Sequence, residues 1–89
     1  MIVLTEKMEV LVHCGVHGRV AVQLAEIAEE KKVELHIASG GRQVSCNSIL
    51  ELLGLALVQG TRIRVRVQGD RAEDALQAVR KLLMGEMVS

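Results

Sequence analysis

Patterns of apolar and polar residues divide the chain into seven predicted elements, four of them strands. Strict alternation at residues 33–37, 42–46 and 62–67 is typical of strands that bury one face. The first two of these strands flank a Gly-Gly turn signal at 40–41 and therefore predict a hairpin. An apolar-rich run at 8–12, interrupted by one glutamate, predicts a strand near the start of the chain.

Three segments have helical composition. Residues 19–31 and 72–85 repeat their apolar side chains at the spacing of amphipathic helices, and Asp70 is the predicted N-cap of the second helix. A third, leucine-rich segment at 49–57 follows Ser48 in a capping-box pattern that Glu51 completes. The order of elements is therefore βαββαβα.

This order predicts the fold class. Four strands with one apolar face need a single layer of helices, so we expect an open-faced α/β (α+β) sandwich with a four-stranded antiparallel sheet. A chain of 89 residues has room for one modest core, and we expect a single domain over residues 1–89.

Composition narrows the classes of partner. The chain has no Phe, Trp or Tyr, so it lacks the aromatic platforms of RNA-binding and single-strand-binding modules. Its 11 basic and 11 acidic side chains cancel, whereas a binder of phosphate backbones is expected to be basic. No apolar run approaches the roughly 20 residues that span a bilayer, and residues 1–7 lack a signal-peptide layout. We expect a cytoplasmic protein with no nucleic-acid partner and no membrane insertion.

Three arginines, Arg62, Arg64 and Arg66, share the polar face of the last predicted strand. Glu9 and Glu34 on neighbouring strands are positioned to pair with them, each exposed pair contributing about 0.2–1 kcal/mol. A solvated charged face is the simpler interpretation, with anion binding as the alternative.

Residues 15–19, Gly-Val-His-Gly-Arg, join the first strand to the first helix and carry the densest candidate chemistry. The start of a helix presents unpaired amides and partial positive charge, which suit an anion. An imidazole there can be phosphorylated on a ring nitrogen. Arg19 can hold the phosphoryl oxygens, and Gly18 leaves room for them. We assign His17 and Arg19 to the chemistry, and Gly15 and Gly18 to a phosphoryl-binding loop.

A metal site is the rival interpretation of this loop. His13, Cys14 and His17 lie within five residues and are zinc-ligand types. A closed zinc site takes four ligands, and neither His36 nor Cys46 has an evident reason to complete it. We therefore expect no metal and no other cofactor, and both cysteines as reduced thiols.

Two stretches resemble the HPr phosphocarriers of the bacterial phosphotransferase system. The family pattern Gly-Leu-His-Ala-Arg-Pro-Ala is similar to residues 15–21, Gly-Val-His-Gly-Arg-Val-Ala. A second family signature, a serine opening a short apolar helix before Gln-Gly-Thr, is similar to residues 48–61. The separation of 31 residues between His17 and Ser48 also agrees with the family spacing.

The resemblance implies an HPr-like fold. It also implies that the protein is a carrier, phosphorylated on a histidine, and not a classical enzyme. It implies that Nδ1 of His17 accepts a phosphoryl group from the first enzyme of the system and passes it to sugar-specific acceptor proteins. Ser48 matches the serine that an HPr kinase/phosphorylase modifies in some members, with a transcriptional regulator as a further partner. The implied partner-binding residues are Val20, Ile49, Leu50 and Leu53. We expect a monomer.

Several positions depart from the family pattern. Val20 stands where proline is usual, Gly18 stands where the pattern has alanine and loosens the loop, and Cys14 stands where the family has Ser, Thr or Asn. A thiol is a weaker hydrogen-bond partner for the imidazole than a hydroxyl or an amide. A second hypothesis therefore stays open, namely a divergent HPr-like regulatory or interaction module without a role in sugar transport.

Overall fold

Strands and helices follow one another in the predicted order in the computed structural model, which describes residues 1–85. The strands are β1 (Val3–Glu9), β2 (Glu34–Ser39), β3 (Arg42–Ser45) and β4 (Arg62–Gln68). The helices are α1 (Gly18–Lys31), α2 (Ile49–Gly54) and α3 (Ala72–Met84). The βαββαβα order is confirmed.

The four strands form one antiparallel sheet in the order β1-β4-β2-β3. β1 pairs with β4 along its whole length, from Val3 opposite Gln68 to Glu9 opposite Arg62. The apolar residues of each strand face the helices, and the opposite face is polar. The open-faced sandwich is confirmed.

The core is aliphatic, as the absence of aromatic residues requires. Ile37 and Val65 from the sheet are fully buried against Leu24 of α1 and Leu83 of α3. Burial of each such side chain contributes about 1.5–3 kcal/mol. Within residues 1–85, no helix is long and apolar enough to cross a bilayer.

The first strand is not where the pattern predicts it. β1 covers Val3–Glu9 instead of 8–12, because Glu6 lies on the helix-facing side and so breaks the expected alternation. Residues 10–12 leave β1 and bond elsewhere, the amide of Val10 to Thr61 and the next two amides to Leu83 of α3.

Two helix boundaries also differ from the prediction. α2 ends at Gly54 rather than at 57, since Ala56 has a left-handed φ of 53° that a helix cannot continue. The N-cap of α3 is Arg71 rather than Asp70, and its side chain makes no capping hydrogen bond. Ala72, the first residue of the helix, is bonded instead to the carbonyl of Gly69.

The ion pairs predicted for the outer face of the sheet are absent. Glu9 lies opposite Arg62 in the register, but Glu34 lies opposite Gln68. The ion pairs within residues 1–85 are Lys31–Glu30, Arg71–Asp74 and Arg80–Glu6. Exposed pairs gain little in water, and ordering two long side chains offsets that gain.

Glu6 of β1 and Arg80 of α3 tie the sheet to the helical layer. The carboxylate accepts hydrogen bonds from Nε of Arg80 at 3.0 Å and from Nη2. These bonds hold the pKa of Glu6 below its ordinary value of 4.5, against the opposing effect of burial. The stabilisation is therefore complete above that value and is lost as the pH falls through the lowered pKa.

We predict that Glu6→Gln lowers the free energy of unfolding by about 0.5–1.5 kcal/mol at pH 7. Below the pKa of Glu6 the wild-type carboxyl is also neutral, so the two proteins should then be equally stable. Urea unfolding at neutral and at acidic pH measures both differences. Glu26→Gln, at an exposed position of α1, is the matched control. A deficit that persists unchanged in acid would contradict the assignment.

Candidate functional site

The segment between β1 and α1 is anchored to two other parts of the fold. Two amides near its start donate to the carbonyl of Leu83 in α3, at 2.8 and 2.9 Å. At its end, the amide of Val16 donates to the carbonyl of Leu57 at 2.7 Å. These bonds hold His17, the next residue, against the segment that follows α2.

Gly15 makes this anchoring possible. Its φ is +67°, and a Cβ atom there would lie 2.4 Å from the Leu57 carbonyl oxygen and 2.8 Å from Cα of Val58. Only glycine fits such a position without displacing backbone. Gly15 is buried, so we infer that it serves the loop by positioning its backbone, and its assignment to a phosphoryl-binding loop stays a prediction.

His17 is exposed and is the N-cap of α1. Its Nδ1 accepts a hydrogen bond from the amide of Arg19 at 3.2 Å. A ring nitrogen that accepts a hydrogen bond carries a lone pair, so the nucleophilic electron pair of the neutral imidazole points at the start of the helix. The resemblance to HPr phosphocarriers implies this nitrogen as the phosphoryl acceptor, and the capping bond fixes the direction of its lone pair.

The first turn of α1 supplies donors around the imidazole. The amide of Ala21 donates to the carbonyl of His17 at 2.8 Å and so closes the helix. The amides of Gly18 and Val20 have no acceptor within residues 1–85, and that of Arg19 is bonded only to the imidazole. Three amides and the positive end of the helix dipole are therefore available to an anion.

The surroundings of these amides are open. A Cβ atom at Gly18 would meet no other atom within 4 Å, so the space exists whether or not this residue is glycine. The assignment of Gly18 to the phosphoryl-binding loop stays a prediction. Arg19 is exposed, and its guanidinium takes part in no hydrogen bond or ion pair within residues 1–85.

The second candidate region is α2. The hydroxyl of Ser48 accepts a hydrogen bond from the amide of Glu51 at 3.3 Å, which confirms Ser48 as the N-cap. Leu50 is 83% exposed and Leu53 is 38% exposed. Ile49 is partly buried against the core. We call these three apolar residues the α2 patch.

Val20 does not belong with the α2 patch. Only 4% of its surface is exposed, because it points from the first turn of α1 into the core. The implied role of Val20 in partner binding is corrected to packing. The missing proline at this position therefore leaves the exposed surface around His17 unchanged.

The rival metal site does not form. No group of three His, Cys, Asp or Glu side chains within residues 1–85 is placed to hold a metal ion. Cys46 is fully buried, and burial raises the pKa of its thiol to about 12, which keeps it protonated. Cys14 is exposed, and both cysteines are free, as predicted.

Comparison with known proteins gives a consistent result. The family model described as "PTS HPr component phosphorylation site" matches residues 4–84. The phosphocarrier protein HPr of Haemophilus influenzae is 34% identical over 79 residues, which are 89% of each chain.

Solved structures agree with that result. The crystal structure of HPr from Bacillus anthracis str. Ames has a TM-score of 0.84 at 25% identity and covers 91% of this chain and 96% of its own. Crh, described as a catabolite repression protein of Bacillus subtilis and crystallised as a swapped dimer, has a TM-score of 0.75 at 25% identity, covering 94% and 97%.

Proposed function

The chain belongs to the HPr family of phosphocarriers of the sugar phosphotransferase system, and we propose that His17 is the residue on which it carries the phosphoryl group. One observation carries this proposal. Nδ1 of an exposed imidazole is held at the start of α1, where it accepts the amide hydrogen of Arg19. A phosphoryl group bonded to that nitrogen would meet the free amides of the helix.

Transfer needs no general base at this site. The lone pair of Nδ1 attacks the phosphorus of a phosphohistidine on the first enzyme, one P–N bond forms and one breaks, and the donor imidazole leaves with its electron pair. Nε2 of His17 releases a proton to solvent and the departing imidazole takes one up, so the charges balance. The same exchange in reverse passes the group to a histidine of a sugar-specific acceptor. Because one P–N bond replaces another, the step is close to balanced in free energy.

The backbone of α1 then stabilises the transferred group. When Nδ1 forms its bond to phosphorus, its hydrogen bond to Arg19 breaks, and that amide becomes free to donate to a phosphoryl oxygen. The neighbouring amides and the guanidinium of Arg19 add donors that are fixed before the reaction begins. The helix end therefore serves the free imidazole and the phosphorylated imidazole in turn.

The α2 patch is the proposed docking surface. Leu50 projects almost fully into solvent, and the segment after α2 is bonded to the residue before His17. Apolar side chains exposed beside an active group are typical anchors of a transient interface. We propose that the first enzyme and the sugar-specific acceptors contact this patch as they reach His17, and that the protein acts in the cytoplasm as a monomer.

Ser48 is the proposed regulatory residue. Its hydroxyl caps α2, so a phosphate there can keep the bond to the amide of Glu51 while placing negative charge at the start of α2, next to Ile49 of the α2 patch. We propose that an HPr kinase/phosphorylase adds this phosphate and that a transcriptional regulator binds the modified surface. The likeness to Crh, a catabolite repression protein, supports this arrangement.

The test is phosphorylation by a first enzyme of the system with phosphoenolpyruvate. We expect a mass increase of about 80 Da that is lost in acid and retained in base, as a phosphohistidine requires. Peptide mapping in base should place it on His17. An unchanged mass, with a known HPr labelled in the same mixture, would contradict the proposed function.

Arg19 gives a graded prediction. Arg19→Gln removes the guanidinium and keeps the amides of α1, so we expect transfer to slow by about 10- to 100-fold. Arg71→Gln, at an exposed residue near the start of α3, should leave the rate unchanged. Quenched-flow measurement of phosphoryl transfer from the first enzyme separates the two variants, and equal rates would exclude a direct role for Arg19.

A further inference from the structure

A basic hollow lies at one end of the sheet. None of its lining residues belongs to α1 or to the α2 patch, although one of them, Arg42, donates a hydrogen bond to Gly54, the last residue of α2. The basic hollow has a volume of about 770 Å³ and is formed where the first half of β4 meets the end of β1 and the turn between β2 and β3. Four of its lining residues are cations and one is a carboxylate. These charged residues are Lys7, Arg42, Arg62, Arg64 and Glu9.

The cations of the basic hollow are not neutralised by the protein. No ion pair within residues 1–85 involves any of the four. The side chain of Arg42 donates one hydrogen bond, to the carbonyl of Gly54 at 3.4 Å. The side chains of the other three cations make no hydrogen bond within residues 1–85. Even Glu9, which the register places opposite Arg62, is not within ion-pair distance.

Their arrangement is unfavourable unless something else is bound. Lys7 lies directly opposite Arg64 in the antiparallel register, where Cβ atoms are about 4.5–5.5 Å apart and like charges destabilise the pair. Arg62 stands two residues from Arg64 on the same face of β4, about 7 Å away. A net-neutral chain thus concentrates positive charge at one place on a sheet.

The shape and the charges define the occupant. The volume lies within the range of about 300–1,000 Å³ that is usual for small-molecule sites. Guanidinium groups bind phosphoryl oxygens in pairs, and three adjacent cations balance the charge of an anion with two phosphoryl groups better than that of a single phosphate. Nucleic acid does not fit, because the chain has no aromatic residue on which a base could stack.

From these observations we propose that the basic hollow binds a small soluble molecule that carries two or more phosphoryl groups. The anion would lie across Arg62 and Arg64 of β4 and reach Lys7 of β1. Ala38 and the glycines of the β2–β3 turn leave space beside them. This site is separate from His17, and its occupancy does not depend on the carrier function.

The experiment uses inorganic pyrophosphate as the probe and inorganic phosphate as the comparison. We expect pyrophosphate to shift the amide NMR signals of residues 38–43 and 62–64, with an affinity at least about tenfold above that of phosphate. The double variant Arg62→Gln/Arg64→Gln should weaken binding at least about tenfold. Its melting temperature should be unchanged or raised, because it removes repulsion between like charges.

The matched control is Lys32→Gln/Lys81→Gln, which removes two positive charges from exposed positions outside the basic hollow. It should bind pyrophosphate within about twofold of wild type. Shifts confined to residues 15–20, equal weakening in the control, or no shift at about 10 mM pyrophosphate would each overturn the proposal. Phosphorylation by the first enzyme should stay unchanged in Arg62→Gln/Arg64→Gln, which separates this test from that of the carrier function.

Discussion

His17→Ala is expected to abolish phosphorylation by the first enzyme, whereas His13→Ala should be phosphorylated at the wild-type rate. Both histidines are exposed and lie four residues apart in the same loop, so they differ in place rather than in chemistry. Only His17 caps α1 and directs Nδ1 to the amide of Arg19. A phosphohistidine at His13 would have no helix start to hold its oxygens.

The loss should be complete and should not reflect unfolding. Neither neighbouring side chain can replace the imidazole as an acid-labile carrier, because the guanidinium of Arg19 is a poor nucleophile and the thiol of Cys14 would form an S-phosphate rather than an N-phosphate. Removal of an N-cap bond costs about 0.5–2 kcal/mol, which lowers the melting temperature but leaves the protein folded. Circular dichroism before the labelling reaction provides that check.

Leu50→Ala distinguishes a phosphocarrier from the second hypothesis, an interaction module without a role in sugar transport. In a carrier, loss of this exposed leucine should raise the substrate concentration needed for transfer and leave His17 competent. An interaction module without sugar transport would require Leu50 for every partner and tolerate His17→Ala in all assays. If the first enzyme phosphorylated His17→Ala at the normal level, His17 would be excluded as the phosphorylation site, however well the chain folds.

The strands differ in how well the sequence predicts them, and the cause lies in single residues. β4 is predicted within one residue because apolar and arginine positions alternate without exception. β1 is misplaced because Glu6 faces the helices, where Arg80 compensates its charge. An acidic residue on the buried face interrupts the alternation that predicts a strand. Its partner lies 74 residues away in sequence, so the local pattern cannot identify the pair.

The residues of the candidate site also differ in how well the sequence predicts them. His17, Arg19 and Ser48 are predictable because a helix N-terminus has a local signature, and the capping bonds of His17 and Ser48 are both present. The contact of Gly15 with Leu57 joins residues more than 40 positions apart, and no local pattern encodes it.

Gly15→Ala is expected to have the largest effect on stability, and Gly18→Ala almost none, although the two glycines lie three residues apart. At Gly15 an alanine must adopt a φ of +67° and place its methyl carbon 2.4 Å from the Leu57 carbonyl oxygen. The left-handed backbone conformation costs about 1–2 kcal/mol. Displacing the 57–58 backbone costs about 1–3 kcal/mol more, which is the cost of inserting an extra methyl group into a packed core.

The sum is a large part of the stability of a chain this size. For a folded chain of 89 residues, the free energy of unfolding is about 5–13 kcal/mol. A loss of about 2–5 kcal/mol should lower the melting temperature by roughly 8–40 °C. Gly18→Ala meets no atom within 4 Å and has an ordinary φ, so its melting temperature should stay the same or rise through higher helix propensity.

The rate of phosphoryl transfer should also differ between Gly15→Ala and Gly18→Ala. In folded Gly15→Ala, measured well below its melting temperature, the 57–58 backbone must move away from the loop and loosen the bond between Val16 and Leu57. His17 then loses its fixed position, and transfer from the first enzyme should slow, because catalysis by prearranged donors depends on small distances. Gly18→Ala should retain the wild-type rate. If both alanines lowered stability equally, or if Gly15→Ala transferred phosphate at full speed, the anchoring of the imidazole through Gly15 would be disproved.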